Sequence, residues 1–322
     1  MDIFRLLEIG VGAFVAYLII FRIGFFFKPA EHKPELEPID PPEMIPVPAS
    51  LPYPMRHYLQ MNFGDEVPLP TTAVAWGLGK RIGRSFGPLG PLWMPSYWAV
   101  YMVPGKEFVY RLTVTWFGRK MLQGGDELRQ GYGRFIMNKD RLENTNINKS
   151  EWIMLWLYTI MAAPSATLAD PNNTWEAVDD QTAKLSVPYK DGSRWEFTLL
   201  FDSQSGQLTG VDTLRVTSRD GKEIPFKIRM DDHQKLGPGV LPGYMKAAWE
   251  NDFYIMNQLN GVRYNVNIDE VMEEGASESI HLGPAVPKEE TEEETEEPEE
   301  TEEESQPAQE TTGEEESKQP EE

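Results

Sequence analysis

Gly83-Arg84-Ser85-Phe86-Gly87 matches the G-x-S-x-G pattern in which a serine nucleophile sits on a sharp turn between a strand and a helix. Pro88, Gly90, Pro91 and Pro95 follow, so the helix that this chemistry requires is not expected. His233 and His281 lie downstream, as a triad would need, but nothing else singles them out, and a Ser85-dependent hydrolase is the remote reading. Gly77, Gly79 and Gly83 resemble a phosphate-binding glycine run, again without the helix whose N-terminus would hold the anion. Lys80, Arg81 and Arg84 still form a local positive cluster, a candidate contact for an anionic headgroup, the alternative being a solvated loop. Asp231-Asp232-His233 carries metal-capable groups, but neighbours in sequence do not converge on one ion unaided, so no metal site is expected. Asp179-Asp180 reads as turn chemistry. The chain has no cysteine, which excludes disulfides, thiolate zinc sites and thiol catalysis. No coherent catalytic set and no cofactor motif emerge, and the expectation is a binding protein rather than an enzyme.

The elements that would position a site are mostly strands. Phe108, Tyr110, Leu112, Val114 and Trp116 alternate with Val109, Arg111, Thr113 and Thr115, which predicts one apolar and one mostly polar face. Ala183, Leu185, Val187 and Tyr189 repeat the pattern, as do Trp195, Phe197, Leu199 and Phe201, with Lys190-Asp191-Gly192 as the hairpin between them. Ser205-Gly206, Asp220-Gly221 and Asn260-Gly261 mark further turns. Short hairpins imply an antiparallel meander, closed into a curved sheet or half-barrel. One helix interrupts it. Asn148 reads as its N-cap, Glu151 as the partner in a capping box, and Pro164 as its stop. Its apolar residues surround most of its circumference, so it must be buried on nearly all sides, against the concave face of the sheet. The predicted class is therefore mainly β (α+β).

Aromatic residues supply the candidate binding site. Trp93, Tyr97, Trp98 and Tyr101 crowd one stretch, and Trp152 and Trp156 lie on the buried helix. They form either a filled core or the wall of a pocket for a lipid or other apolar ligand.

Ile9–Phe27 is apolar except for Arg22 and long enough, at about 28 Å of helix, to cross a bilayer. It ends in Phe25-Phe26-Phe27-Lys28-Pro29 rather than in a small-x-small cleavage site, so residues 1–28 are read as an uncleaved single-pass anchor. Residues 29–54 contain nine prolines and are expected to form an extended spacer without ladder pairing, holding a domain at 55–275 off the bilayer. From 276 a Glu-rich tail is expected to be disordered and is a candidate contact for a protein partner. Residues 288–322 alone carry a charge of -16 of the total -22, which leaves the rest mildly acidic and argues against nucleic-acid binding. Lys and Arg counts flanking the anchor place the domain in the cytoplasm by a margin of one or two charges.

Three ordered segments carry a resemblance. Leu51-Pro-Tyr-Pro-Met-Arg-His-Tyr-Leu, the helix end Ala163-Pro164-Ser165-Ala166, and Trp175-Glu-Ala-Val-Asp-Asp-Gln-Thr-Ala-Lys resemble an uncharacterised prokaryotic family of membrane-anchored proteins. That family carries "LPxPVRRYL" and "WEAxDDxTA" segments, and the resemblance covers about residues 50–270. The chain departs from it at His57 and in the Gly/Pro-rich stretch 77–95. The resemblance implies a half-barrel like that of lipoprotein-localisation factors, outside the cytoplasm, and transfers no functional residues. A scaffold with a solid core, acting through its surface and tail, is the alternative to a ligand carrier.

Overall fold

The computed structural model describes residues 3–83, 92–137 and 140–275, of 81–83 the backbone alone. Arg84, Ser85, the tail from 276 and its expected partner contact lie outside the described residues. The chain opens with α1 (Ile3–Ile23) and a short 3-10 turn at Gly24–Phe26, then β1 (Glu43–Pro46), α2 (Tyr53–Phe63) and β2 (Glu66–Leu69). A first meander follows: β3 (Ala73–Gly83), β4 (Leu92–Val103), β5 (Glu107–Trp116), β6 (Arg119–Arg129), β7 (Tyr132–Met137) and β8 (Asp140–Leu142). After α3 (Thr145–Ala162) a second meander runs through β9 (Thr174–Asp179), β10 (Thr182–Pro188), β11 (Arg194–Phe201), β12 (Leu208–Val216), β13 (Glu223–Leu236), β14 (Gly239–Trp249) and β15 (Asp252–Tyr264). A last helix, α4, covers Asp269–Glu274.

Every neighbouring pair of strands in the large sheet is antiparallel, in the order β8-β7-β6-β5-β4-β3-β15-β14-β13-β12-β11-β10-β9. The β3–β15 pairing therefore fuses two meanders into one curved sheet, with α3 touching strands from both halves, β6 and β7 on one side and β12 and β14 on the other. This is the expected curved antiparallel sheet around a buried helix. α3 is buried from Ile153 to Ala162, as a helix apolar on most sides must be.

Alternation sets the faces. Trp98, Val100 and Met102 join the core under α3, with Phe108, Tyr110 and Leu112 of β5. Ala99 and Tyr101 point the other way, into a second cluster with Val74, Trp76, Val266 and Ile268. That outer face is covered by Leu36, Val271 and Met272, and Arg111 pairs there with Glu274 at 3.2 Å.

Three expectations are corrected. The proline-rich segment does form ladders: β1 pairs with β2, Ile39 N donates to Asn265 O at 2.9 Å, and Asn267 N donates to Glu37 O at 2.8 Å. Proline lacks only the donor, and Pro46 and Pro68 sit in a two-stranded ribbon, where an outward-facing position needs none. Asn260-Gly261 lies inside β15, at a register shift opposite Gly77 and Trp76, rather than in a turn. A side chain at Gly261 would overlap the Trp76 indole, the close approach that an isolated strand glycine often marks. The run Gly77–Gly83 is likewise strand, not loop, and a side chain at Gly77 would overlap the Gln258 carbonyl.

The end of α1 rests on the β5–β6 turn. Trp116 Nε1 donates to Phe21 O at 2.9 Å, and Phe117 N donates to Gly24 O at 2.7 Å. Gly24 is required at this contact, because any side chain there would overlap the Trp116 indole. The expected spacing between anchor and domain is thus replaced by direct contact. Trp116, at the end of β5, lies outside the core cluster and meets the end of α1 instead of continuing the core stripe that the sequence pattern predicts.

Candidate functional site

The concave face holds a cavity of about 260 Å³ between α3 and the sheet. Trp98, Tyr110 and Tyr158 make one wall. Trp98 Nε1 is tied to Leu78 O at 3.0 Å, its ring lies 6.2 Å from Tyr110, and Tyr110 stacks on Tyr158 at 5.7 Å. Met154, Phe226, Met245 and Trp249 complete an apolar body, and exposed Leu142 and Ser218 belong to its rim. The volume lies just below the about 300 Å³ at which small-ligand clefts begin, which suits one chain or ring system.

One end of this cavity is polar. Glu151 reaches it from α3 and Arg215 from β12, with Nη2 donating to Glu151 Oε1 at 3.3 Å and Nε donating to Ser150 Oγ at 3.0 Å. The Arg215 guanidinium also lies 5.1 Å from the ring centres of both Phe226 and Trp249. Asp126 of β6 lines the same space. Arg215 brings one positive charge against two carboxyl groups. Burial, reinforced by the charge of Asp126 and opposed by Arg215, pushes the Glu151 carboxyl up to about 8. Its second oxygen, Oε2, is buried without a hydrogen-bond partner.

Of the six aromatic candidates, Trp98 lines the cavity. Trp93, Tyr97 and Tyr101 occupy alternate positions of β4 facing away from it: Tyr97 meets His32 at 5.2 Å, and Tyr101 belongs to the outer cluster. Trp152 packs on Tyr189 at 5.1 Å, and Trp156 is buried in the core at 6.2 Å from Trp152. Lys80 is exposed on β3, while the side chain of Arg81 lies outside the described residues, as does Arg84. Asp231 and Asp232 are exposed on β13, while His233 Nε2 lies 3.0 Å from Leu208 O. Asp179 Oδ1 accepts from Gln181 N at 2.8 Å, the turn chemistry expected of it. Among the described residues no group of three metal-capable side chains comes together.

The residues that the sequence reading missed are Glu151 in its actual role, Arg215 and Asp126. α3 begins one turn earlier than Asn148: Asn144 is the N-cap, accepting from Ile147 N at 2.8 Å, and Asn148 instead accepts from Gly133 N at 2.7 Å. This shift frees Glu151 from any capping box. A usable signal existed in β12, where Arg215 falls on the same face as core residue Val211, and a cation on a core stripe demands a buried partner.

Solved structures with similarity to the chain include the LolA superfamily protein NE2245 from Nitrosomonas europaea, with a TM-score of 0.38 and 8% identity over 68% of this chain and 95% of that one. A DUF1329 family protein from Desulfovibrio piger has a TM-score of 0.37 and 11% identity, over 63% of this chain and 89% of that one. Likeness at this level carries no functional argument, and the architecture rests on the strand order itself. The curated proteins contain no match. Residues 44–257, from β1 to the middle of β15, match a family of unknown function, DUF6544, and the chain belongs to that family.

Proposed function

We propose that the protein is a membrane-tethered, non-enzymatic binding module that holds a single apolar ligand in the cavity between α3 and the curved sheet. The observation that carries this reading is the cavity itself, an apolar space lined by Trp98, Tyr110, Met154 and Phe226 between α3 and the sheet. α1 with its 3-10 turn, Ile3–Phe26, is long and apolar enough to serve as the tether. The contact of Trp116 and Phe117 with its end would keep the domain at the membrane surface, within reach of lipid.

Ala247 lines the cavity at a half-buried position of β14, so a phenylalanine there would fill the space from its side. The neutral fluorophore N-phenyl-1-naphthylamine should bind the full chain saturably, seen as energy transfer from tryptophan, and Ala247→Phe should weaken binding by about tenfold or more. Absence of saturable transfer, or an unchanged affinity in Ala247→Phe, would remove the cavity as the site.

The domain is proposed to face outside the cytoplasm. Because the chain lacks cysteine, Ser277→Cys provides a single reporter thiol. An impermeant maleimide should label it in intact cells, whereas labelling only after lysis would place the domain inside.

A further inference from the structure

The polar end of the cavity asks for a particular kind of ligand head, an inference that rests on the cavity being the binding site. Glu151 Oε2 is a buried carboxyl oxygen with no hydrogen-bond partner, on a side chain that lines the cavity. A buried polar group left unmatched is costly, and a correctly placed ligand atom would recover that cost. The other groups facing this space are Arg215 of β12, Asp126 of β6, Lys246 of β14, and the hydroxyls of Ser150, Tyr110, Tyr158 and Tyr254. Arg215 already donates to Ser150 and Glu151 and lies over two aromatic rings. Lys246 is turned over the Tyr244 ring, 5.3 Å from its centre, so an incoming anion would meet two carboxyl groups with the Arg215 guanidinium already engaged.

We propose that the Glu151–Arg215 end of the cavity binds the uncharged, oxygen-bearing head of a single-chain amphiphile, such as the ester of a monoacylglycerol, and discriminates against an anionic head on the same chain. At neutral pH burial holds Glu151 in its protonated form, so Oε2 can donate to a carbonyl or hydroxyl oxygen. The apolar body along Trp98, Met154 and Phe226 takes the chain. When the pH rises through about 8 the carboxyl ionises, the donor is lost, and a second negative charge joins Asp126.

The test uses the full chain in phosphatidylcholine vesicles with two photoactivatable probes of equal chain length, a diazirine-bearing monoacylglycerol and a permanently anionic diazirine-bearing alkylsulfonate. Labelled peptides are mapped by mass spectrometry. The monoacylglycerol should label α3 and the β12–β14 strands about tenfold more than the alkylsulfonate, a difference of one hydrogen bond to a buried group. Its labelling should fall as the pH passes about 8, and Glu151→Gln, whose amide donates at every pH, should abolish that fall. Equal or stronger labelling by the alkylsulfonate, or a pH response that persists in Glu151→Gln, would overturn the headgroup assignment while leaving the cavity as a binding site. Failure of both probes to label these elements would overturn the headgroup assignment and the cavity reading together.

Discussion

Arg215→Met is expected to destabilise the folded chain by about 1–3 kcal/mol, because it leaves Ser150 and Glu151 buried without the guanidinium that donates to both. Arg215 is 8% exposed, and its guanidinium is bonded to Glu151 and Ser150 and lies 5.1 Å from the ring centres of Phe226 and Trp249. Methionine fills much of the same volume, so the loss is of hydrogen bonds rather than a packing defect. The double variant Arg215→Met with Glu151→Leu should recover a large part of the loss, since apolar replacement of a buried pair is often neutral. Urea titration of the full chain reports both variants. A loss below about 1 kcal/mol for Arg215→Met, the range of a surface pair, would mean that the guanidinium's hydrogen bonds contribute little to the fold.

The second large effect is a decline in stability with rising pH. The folded state keeps a proton on Glu151 up to about 8, whereas its ordinary value is 4.5, so the folded chain binds more protons than the unfolded one between those values. This contribution is fully present below about 4.5 and is lost progressively as the pH climbs towards 8, at about 1.4 kcal/mol for each pH unit of the window. Glu151→Gln cannot titrate and should flatten the curve over that window, becoming more stable than the unsubstituted chain at its alkaline end. Urea midpoints collected across the window check this. Parallel curves for the two proteins would show that another group is responsible.

The strands were legible wherever one face is buried and the other wet. The β5 stripe Phe108, Tyr110, Leu112 and Val114 lies in the core as read, and Lys190-Asp191-Gly192 makes the β10–β11 hairpin, with Gly192 at φ 86°. Legibility ended where a residue's effect depends on distant partners. Asn144 and Asn148 are equally good caps by type, and only the contact of Asn148 with Gly133 decides between them. The aromatic run in β4 read as one cluster because its residues are close in sequence, but strand alternation sends Trp98 inward and Tyr97 and Tyr101 outward. The proline-rich segment read as a spacer on composition, whereas edge pairing with β2 and the tail of β15 binds it to the domain. The polar end of the cavity was least visible of all. Its ionisable residues Glu151, Asp126, Arg215 and Lys246 come from α3, β6, β12 and β14, which only the curved sheet brings together.

Native mass spectrometry of the full chain released from detergent is the most direct test of whether the cavity carries a ligand. The unsubstituted protein should retain one bound apolar molecule after the micelle is stripped, and Ala247→Phe should fly without it. A bare mass for the unsubstituted protein, or the same bound molecule on Ala247→Phe, would contradict a ligand held between α3 and the sheet.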